Sequence, residues 1–186
     1  MSIAQGIMNS DKKQWFVLQA MYSRAVKAQE MLTNLEIETF VPMEKRKVVV
    51  KGKKIQEKMV PALRNMLFVK STFSRIREIK AVNKYLWYLT HTLNGSIEPI
   101  IVPDDQMTRF VEFVEGRFED IEYIDHETID LKKGEKVKII AGAFQGKEAN
   151  FIKITGKRNK QLVVAIDGVL AVAIKTPCPN MIIEKI

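Results

Sequence analysis

The chain has 186 residues, 46% of them hydrophobic, with a formal charge of +8, one cysteine and two histidines. That length fits one large domain or two small ones. A lone Cys178 excludes a disulfide framework, and with the distant His91 and His126 it leaves no ordinary zinc site. No apolar run approaches the length of a membrane span, and residues 1–14 lack the apolar centre of an export signal. A cytoplasmic protein without membrane segments, metal or cofactor is expected.

The positive charge is unevenly placed. Residues 1–116 carry 18 Lys and Arg against 12 Asp and Glu, and residues 131–186 carry 11 against 4. Between them, residues 117–130 carry Arg117 alone against Glu119, Asp120, Glu122, Asp125, Glu127 and Asp130. Two basic blocks joined by an acidic one predict two domains and a linker, with a polyanion as partner for the basic surfaces.

In chain order, residues 1–14 read as a flexible terminus, and Trp15-Phe16-Val17-Leu18-Gln19-Ala20 as a central strand. Ser23 is the expected cap of a helix whose stripe is Ala25, Ala28, Leu32 and Leu35. Glu38 to Met43 reads as a strand stopping near Pro42. An exposed edge hairpin follows, 45–50 and 54–60 around Lys51-Gly52; residues 44–58 hold seven Lys or Arg against two Glu. Then come a buried strand at Leu67-Phe68-Val69, a helix over 73–82 capped by Thr72, and a strand over Tyr85–Leu89. His91-Thr92 is read as loop beside an Asn94-Gly95 turn, followed by a strand over Ile97–Val102. Pro103-Asp104-Asp105 opens a helix with Met107, Phe110, Val111 and Val114 on one face.

Residues 15–116 are therefore an α+β domain, helices against one face of a mainly antiparallel sheet, and 117–130 an acidic linker. Residues 131–186 contain only short strands, at 136–140, 149–154, 161–166, 169–174 and 181–184, with turns at Asn159-Lys160 and Asp167-Gly168, as a small β-barrel requires. The stretch Leu131 to Ile152 is strand, turn and strand, the turn being Gly142-Ala143-Phe144-Gln145-Gly146.

That last pattern resembles the KOW motif of SH3-like barrels, here on Gly142, Phe144 and Gly146. Trp15-Phe16-Val17-Leu18, Lys27-Ala28-Gln29-Glu30 with Leu32, Phe40-Val41-Pro42-Met43, Arg64-Asn65-Met66-Leu67-Phe68-Val69 and Pro99-Ile100-Ile101-Val102-Pro103 stand in the order of the NusG family. The whole chain from Trp15 is similar to that family, and especially to its specialised RfaH-like and UpxY-like paralogues. Met66 stands where the family has Tyr, Arg64 where it has Pro, and Ala143 and Ala149 replace a frequent Pro and Gly.

The resemblance implies a fold of NusG amino-terminal α/β sandwich followed by a KOW barrel. It also implies a transcription elongation factor that docks on the clamp helices of the largest RNA polymerase subunit. By position the docking surface would comprise Phe16, Gln19, Leu63, Met66 and Phe68. DNA near the transcription bubble would meet Arg24 and Lys27, and, as an exposed basic hairpin, Lys45, Arg46, Lys47, Lys51, Lys53 and Lys54. The KOW domain would recruit a ribosomal protein or Rho, the protein acting as a monomer in antitermination of long operons such as surface polysaccharide loci. The alternative is a KOW protein that binds RNA or ribosomes in translation. No Gly-rich phosphate loop or nucleophile-with-base pattern supports an enzyme.

Overall fold

The computed structural model describes residues 12–50, 54–124, 129–130, 133–175 and 180–186; the side chains of Val50 and Lys54 are outside that description. Residues 1–11, and with them most of the expected flexible terminus, lie outside the described residues, as do Lys51, Lys53, His126 and Cys178. The chain divides into two compact units, Met1–Asp104 and Asp105–Ile186.

The first unit is a sheet of β1 (Gln14–Ala20), β2 (Glu38–Phe40), β5 (Met66–Ser71) and β6 (Leu86–Tyr88) in the order β2-β5-β1-β6, with β9 (Ile101–Val102) also on β1. Each pairing is antiparallel. Period two sends Phe16, Leu18 and Ala20 to one face, where they pack with Leu67, Val69 and Leu86. On that face lie α1 (Ala25–Asn34), contributing Ala25, Ala28 and Leu32, and α2 (Phe73–Val82), contributing Ile76 and Ile79. For these two helices the expected layering against one face is observed, while the third helix expected in this domain falls from Asp105 in the second unit. Thr72 caps α2, its hydroxyl accepting from the Arg75 N–H at 3.2 Å.

Five local expectations change. Ser23 does not cap α1; Arg24 occupies that position without a side-chain bond. The helix stops at Asn34, so Leu35 is exposed rather than part of the stripe. The strand expected over Glu38–Met43 ends at Phe40, and Met43 already belongs to β3 (Met43–Val50). His91-Thr92 lies in β7 (Thr90–Leu93), which pairs with β8 (Ser96–Pro99) through Asn94-Gly95, both with positive φ. The basic hairpin, β3 with β4 (Lys54–Pro61), is a two-stranded sheet of its own, not an edge of the main one.

The second unit takes in, from Asp105 onward, α3 (Asp104–Val114), whose buried residues are Met107, Phe110, Phe113 and Val114. Its sheet is antiparallel, in the order β10-β14-β13-β12-β11-β15. Five of these strands sit where the sequence placed them: β11 (Glu135–Ala141), β12 (Glu148–Lys153), β13 (Lys160–Ile166), β14 (Leu170–Ile174) and β15 (Ile182–Lys185). The sixth, β10 (Ile121–Ile124), lies inside the stretch read as linker, where it pairs with β14 from Ile121↔Ile174 to Ile124↔Ala171. Ile152, Ile154, Val163, Ala171 and Ala173 form a core on one side of this sheet.

Candidate functional site

The first candidate surface is the face of the main sheet opposite α1 and α2. Residues three apart in a strand point to opposite sides, so Phe16 and Gln19 cannot share a surface. Phe16 is fully buried in the helix-side core, its ring 5.8 Å from Tyr88 and 6.3 Å from Phe73. It is a packing residue, which corrects its expected place in a docking groove. Phe68 is on the opposite face, paired with Val17 in register, but it too is fully buried, with Phe40 at 6.2 Å. At the Gln19 end of that face an accessible row crosses three strands. Met66 stands opposite Gln19, and Gln19 opposite Trp87, which is 59% exposed. Gln19 and Met66 are half-buried, as is Leu63, whose carbonyl accepts from the Met66 N–H in the turn before β5. Sequence reading missed Trp87; its signal was an aromatic at an outward position of a short strand whose neighbours Leu86 and Tyr88 face the core.

Beside this row the chain turns from β1 into α1. Tyr22 and Ser23 both adopt left-handed backbone, at φ 62° and 56°, which residues with a Cβ adopt only when surroundings hold them there. The holder is Asn65. Its carbonyl accepts from the Ala20 N–H at 2.6 Å, and its side-chain oxygen accepts from the Ser23 N–H at 3.0 Å. The corner projects Tyr22, 80% exposed, and the Arg24 guanidinium lies 5.7 Å from the Tyr22 ring and 5.1 Å from the Tyr85 ring. Lys27, three residues on, is exposed on the first turn of α1. Arg24 thus stands next to two aromatic rings, with the exposed Lys27 three residues on, an arrangement suited to stacking bases and holding phosphate.

Lys45, Arg46 and Lys47 lie exposed along β3. Lys45 pairs with Glu57 at 3.0 Å, and Arg46 with Glu44. Pairing register puts Lys45 and Lys47 on one face of the ribbon with Met59, Val49 and Ile55, the last two 74% and 67% exposed. Arg46 and Lys58 face each other on the other side. Lys51, Lys53 and the side chain of Lys54 are outside the described residues.

In the second unit Gly142 and Gly146 take φ of 99° and 84°, as a tight turn requires. A Cβ on Gly142 would lie 3.2 Å from the Met181 Cα. Phe144 is fully buried, 4.9 Å from Phe113. The Arg117 guanidinium sits 4.6 Å over its ring and donates to the Ala143 carbonyl. Lys147 joins Glu112 of α3 at 2.7 Å. The turn aromatic therefore anchors α3 rather than a surface.

Three groups carry displaced protonation. Lys70 is held above the usual lysine value by its hydrogen bond to Asp104, 3.0 Å away, against partial desolvation. Burial pushes the Tyr88 phenol above the tyrosine range; its hydroxyl has no hydrogen-bond partner among the described residues. Burial also lowers Lys80, whose ammonium stands 3.7 Å over the Tyr88 ring. Among the described residues no three His, Cys, Asp or Glu gather as metal ligands, and no helix is long and apolar enough to cross a membrane.

A family model described as transcription termination factor NusG matches residues 13–111, more than half of the chain. The chain belongs to the NusG family. The match starts just before the Trp15 strand and runs through the sheet, the hairpin and most of α3. It extends past Asp104 into α3, which from Asp105 belongs to the second unit. Members of this family are non-enzymatic factors of transcript elongation and termination that bind RNA polymerase. A comparison with curated proteins found no match.

Proposed function

We propose that this protein is a specialised NusG paralogue that rides on transcribing RNA polymerase and promotes antitermination of particular long operons, surface polysaccharide loci among them. The single observation that carries the reading is the NusG match over residues 13–111. The clamp helices of the polymerase would lie against the row Met66, Gln19 and Trp87, with Leu63 at its border. A mixed row of this kind, one large aromatic beside a flexible thioether and an amide, suits an amphipathic helix. Arg24, Lys27 and the hairpin cations Lys45, Arg46, Lys47, Lys51, Lys53 and Lys54 would meet DNA near the bubble, where phosphate contacts position the complex. The second unit is read as an SH3-like KOW barrel that recruits a ribosomal protein or Rho, and the whole as a cytoplasmic monomer without cofactor.

Binding to core RNA polymerase tests the reading. Phe68→Ala is a poor probe, because emptying a fully buried phenylalanine site costs about 3–5 kcal/mol of folding. Met66→Glu and Trp87→Ala alter the accessible row instead. Binding by the parent, lost in these variants while their melting temperatures are kept, supports both the function and the surface. A folded parent that ignores polymerase refutes it.

A further inference from the structure

The β3–β4 ribbon pairs over eight rungs, from Met43↔Pro61 to Val50↔Lys54, and among the described residues no third strand joins it. Towards its turn, Val49 stands directly opposite Ile55, and both side chains are mostly in water. Met59, also exposed, follows on the same face. A single exposed aliphatic is ordinary on a protein surface. Two of them matched on one rung of a free ribbon make a blunt apolar edge, and the ribbon itself is marginal until something packs on it.

The charges around that edge choose its partner. Residues 44–58 hold seven Lys or Arg against two Glu. The apolar face carries one carboxylate, Glu57, and Lys45 neutralises it at 3.0 Å. Lys47, two residues before Val49 on that face, has no partner among the described residues. On the other face Arg46 lies opposite Lys58, a like-charged pair that destabilises a bare ribbon and that a polyanion relieves. Glu44 engages Arg46, while Lys58 has no partner among the described residues. An apolar groove on a protein would accept Val49 and Ile55 only by desolvating these cations, whereas DNA takes both. Two-stranded ribbons enter DNA grooves, and an apolar side chain pressed into the minor groove parts a base step while cations hold the phosphates beside it.

We infer that the ribbon is a DNA-bending arm: Val49 and Ile55 enter the minor groove and open one base step, with Lys47 on a neighbouring phosphate. The inference rests on the reading above that this hairpin meets DNA, and adds to it the groove, the wedge and a bent product. A wedge seats where stacking yields most readily, so a pyrimidine–purine step such as TA is its expected place, with no base edge read.

The test uses the full chain and a free duplex with donor and acceptor dyes at its ends, one central TA step and 2-aminopurine beside that step. At saturation the parent is expected to bend the duplex by roughly 20–90°, read as a rise in energy transfer, and to raise the 2-aminopurine fluorescence. A duplex with GG in place of TA should bind roughly threefold more weakly. Val49→Thr with Ile55→Thr keeps the β-branching that suits a strand. That double variant should hold its affinity within roughly threefold and lose most of the bend and of the fluorescence rise. Lys47→Ala should weaken binding and lower the salt slope by about one, with the bend at saturation unchanged. Should the double variant fail to fold, the parent's discrimination of TA from GG still decides. No binding to either duplex, binding without a bend, equal affinity for TA and GG, or a full bend in the folded double variant overturns the inference. A parent that leaves DNA straight, with polymerase binding lost in the double variant, assigns the pair to a protein surface and overturns it as well. Because the duplex is free of polymerase, a parent that bends DNA but ignores polymerase refutes the proposed function alone. One that binds polymerase but leaves DNA straight refutes this inference alone.

Discussion

At Tyr88 a phenol oxygen is buried without a hydrogen-bond partner among the described residues, while its ring stacks on Phe73 at 5.6 Å. Tyr88→Phe keeps the stack and removes the orphan hydroxyl, so it should leave stability unchanged or raise it by about 1 kcal/mol in urea melts. The same burial raises the folded pKa of Tyr88 above its unfolded value near 10, so rising pH ionises the unfolded chain first. Lys70 works in the same window. Its folded pKa is raised, so its contribution is whole below about 10.4 and fades as pH climbs through the folded value. Stability should therefore fall from about pH 10 upward, and less steeply in Tyr88→Phe; thermal melts between pH 8 and 11 check both. Gly142→Ala imposes a Cβ on a left-handed residue and drives it toward the Met181 backbone, whereas Gly168, at φ 69°, meets nothing within 4 Å. The first substitution should cost about 2–3 kcal/mol and the second about 1.

Among the elements, legibility followed periodicity. Most strands were readable because their apolar residues alternate or run together, whereas the polar β7 and the short β10 were not, and α2 was readable because Thr72 announces its start. Ser23 misled because a cap residue is useful only if its backbone is extended, and Asn65, distant in sequence, forces it left-handed. Phe16 could have been removed from the candidate surface by counting alone, since it is three residues from Gln19 on one strand. Trp87 and Phe144 could not be sorted that way; whether an aromatic is buried depends on what covers it. The β3–β4 ribbon was correctly read as exposed and basic, but a hairpin attached to no larger sheet is marginal unless something else stabilises it. If it contacts DNA, replacing Lys45, Arg46 and Lys47 by Ala should weaken duplex binding and flatten the dependence of log affinity on log salt by roughly 2–3 units. A salt titration by anisotropy measures this.

At the scale of the whole molecule, the acidic stretch 117–130 was read as a spacer because charge without periodicity suggests no packing. Part of it instead closes a sheet: Ile121 is buried, the Lys175 N–H donates to the Asp120 carbonyl at 2.8 Å, and Lys157 clasps Glu122. No period could reveal so short a strand, since four residues bring too few alternations. Its position has a consequence for where this protein can be cut. The strand it covers, β14, reads Leu-Ala-Val-Ala-Ile, with all five residues buried. A fragment begun at residue 131 would leave that uncharged, β-prone run as a naked border, open to pairing with its own copies. Such a fragment should sediment as oligomers or form thioflavin-positive fibrils, while one begun at residue 105 stays monodisperse. Glu122, with Glu119 and Asp120 shortly before it, then acts as a gatekeeper beside that apolar run.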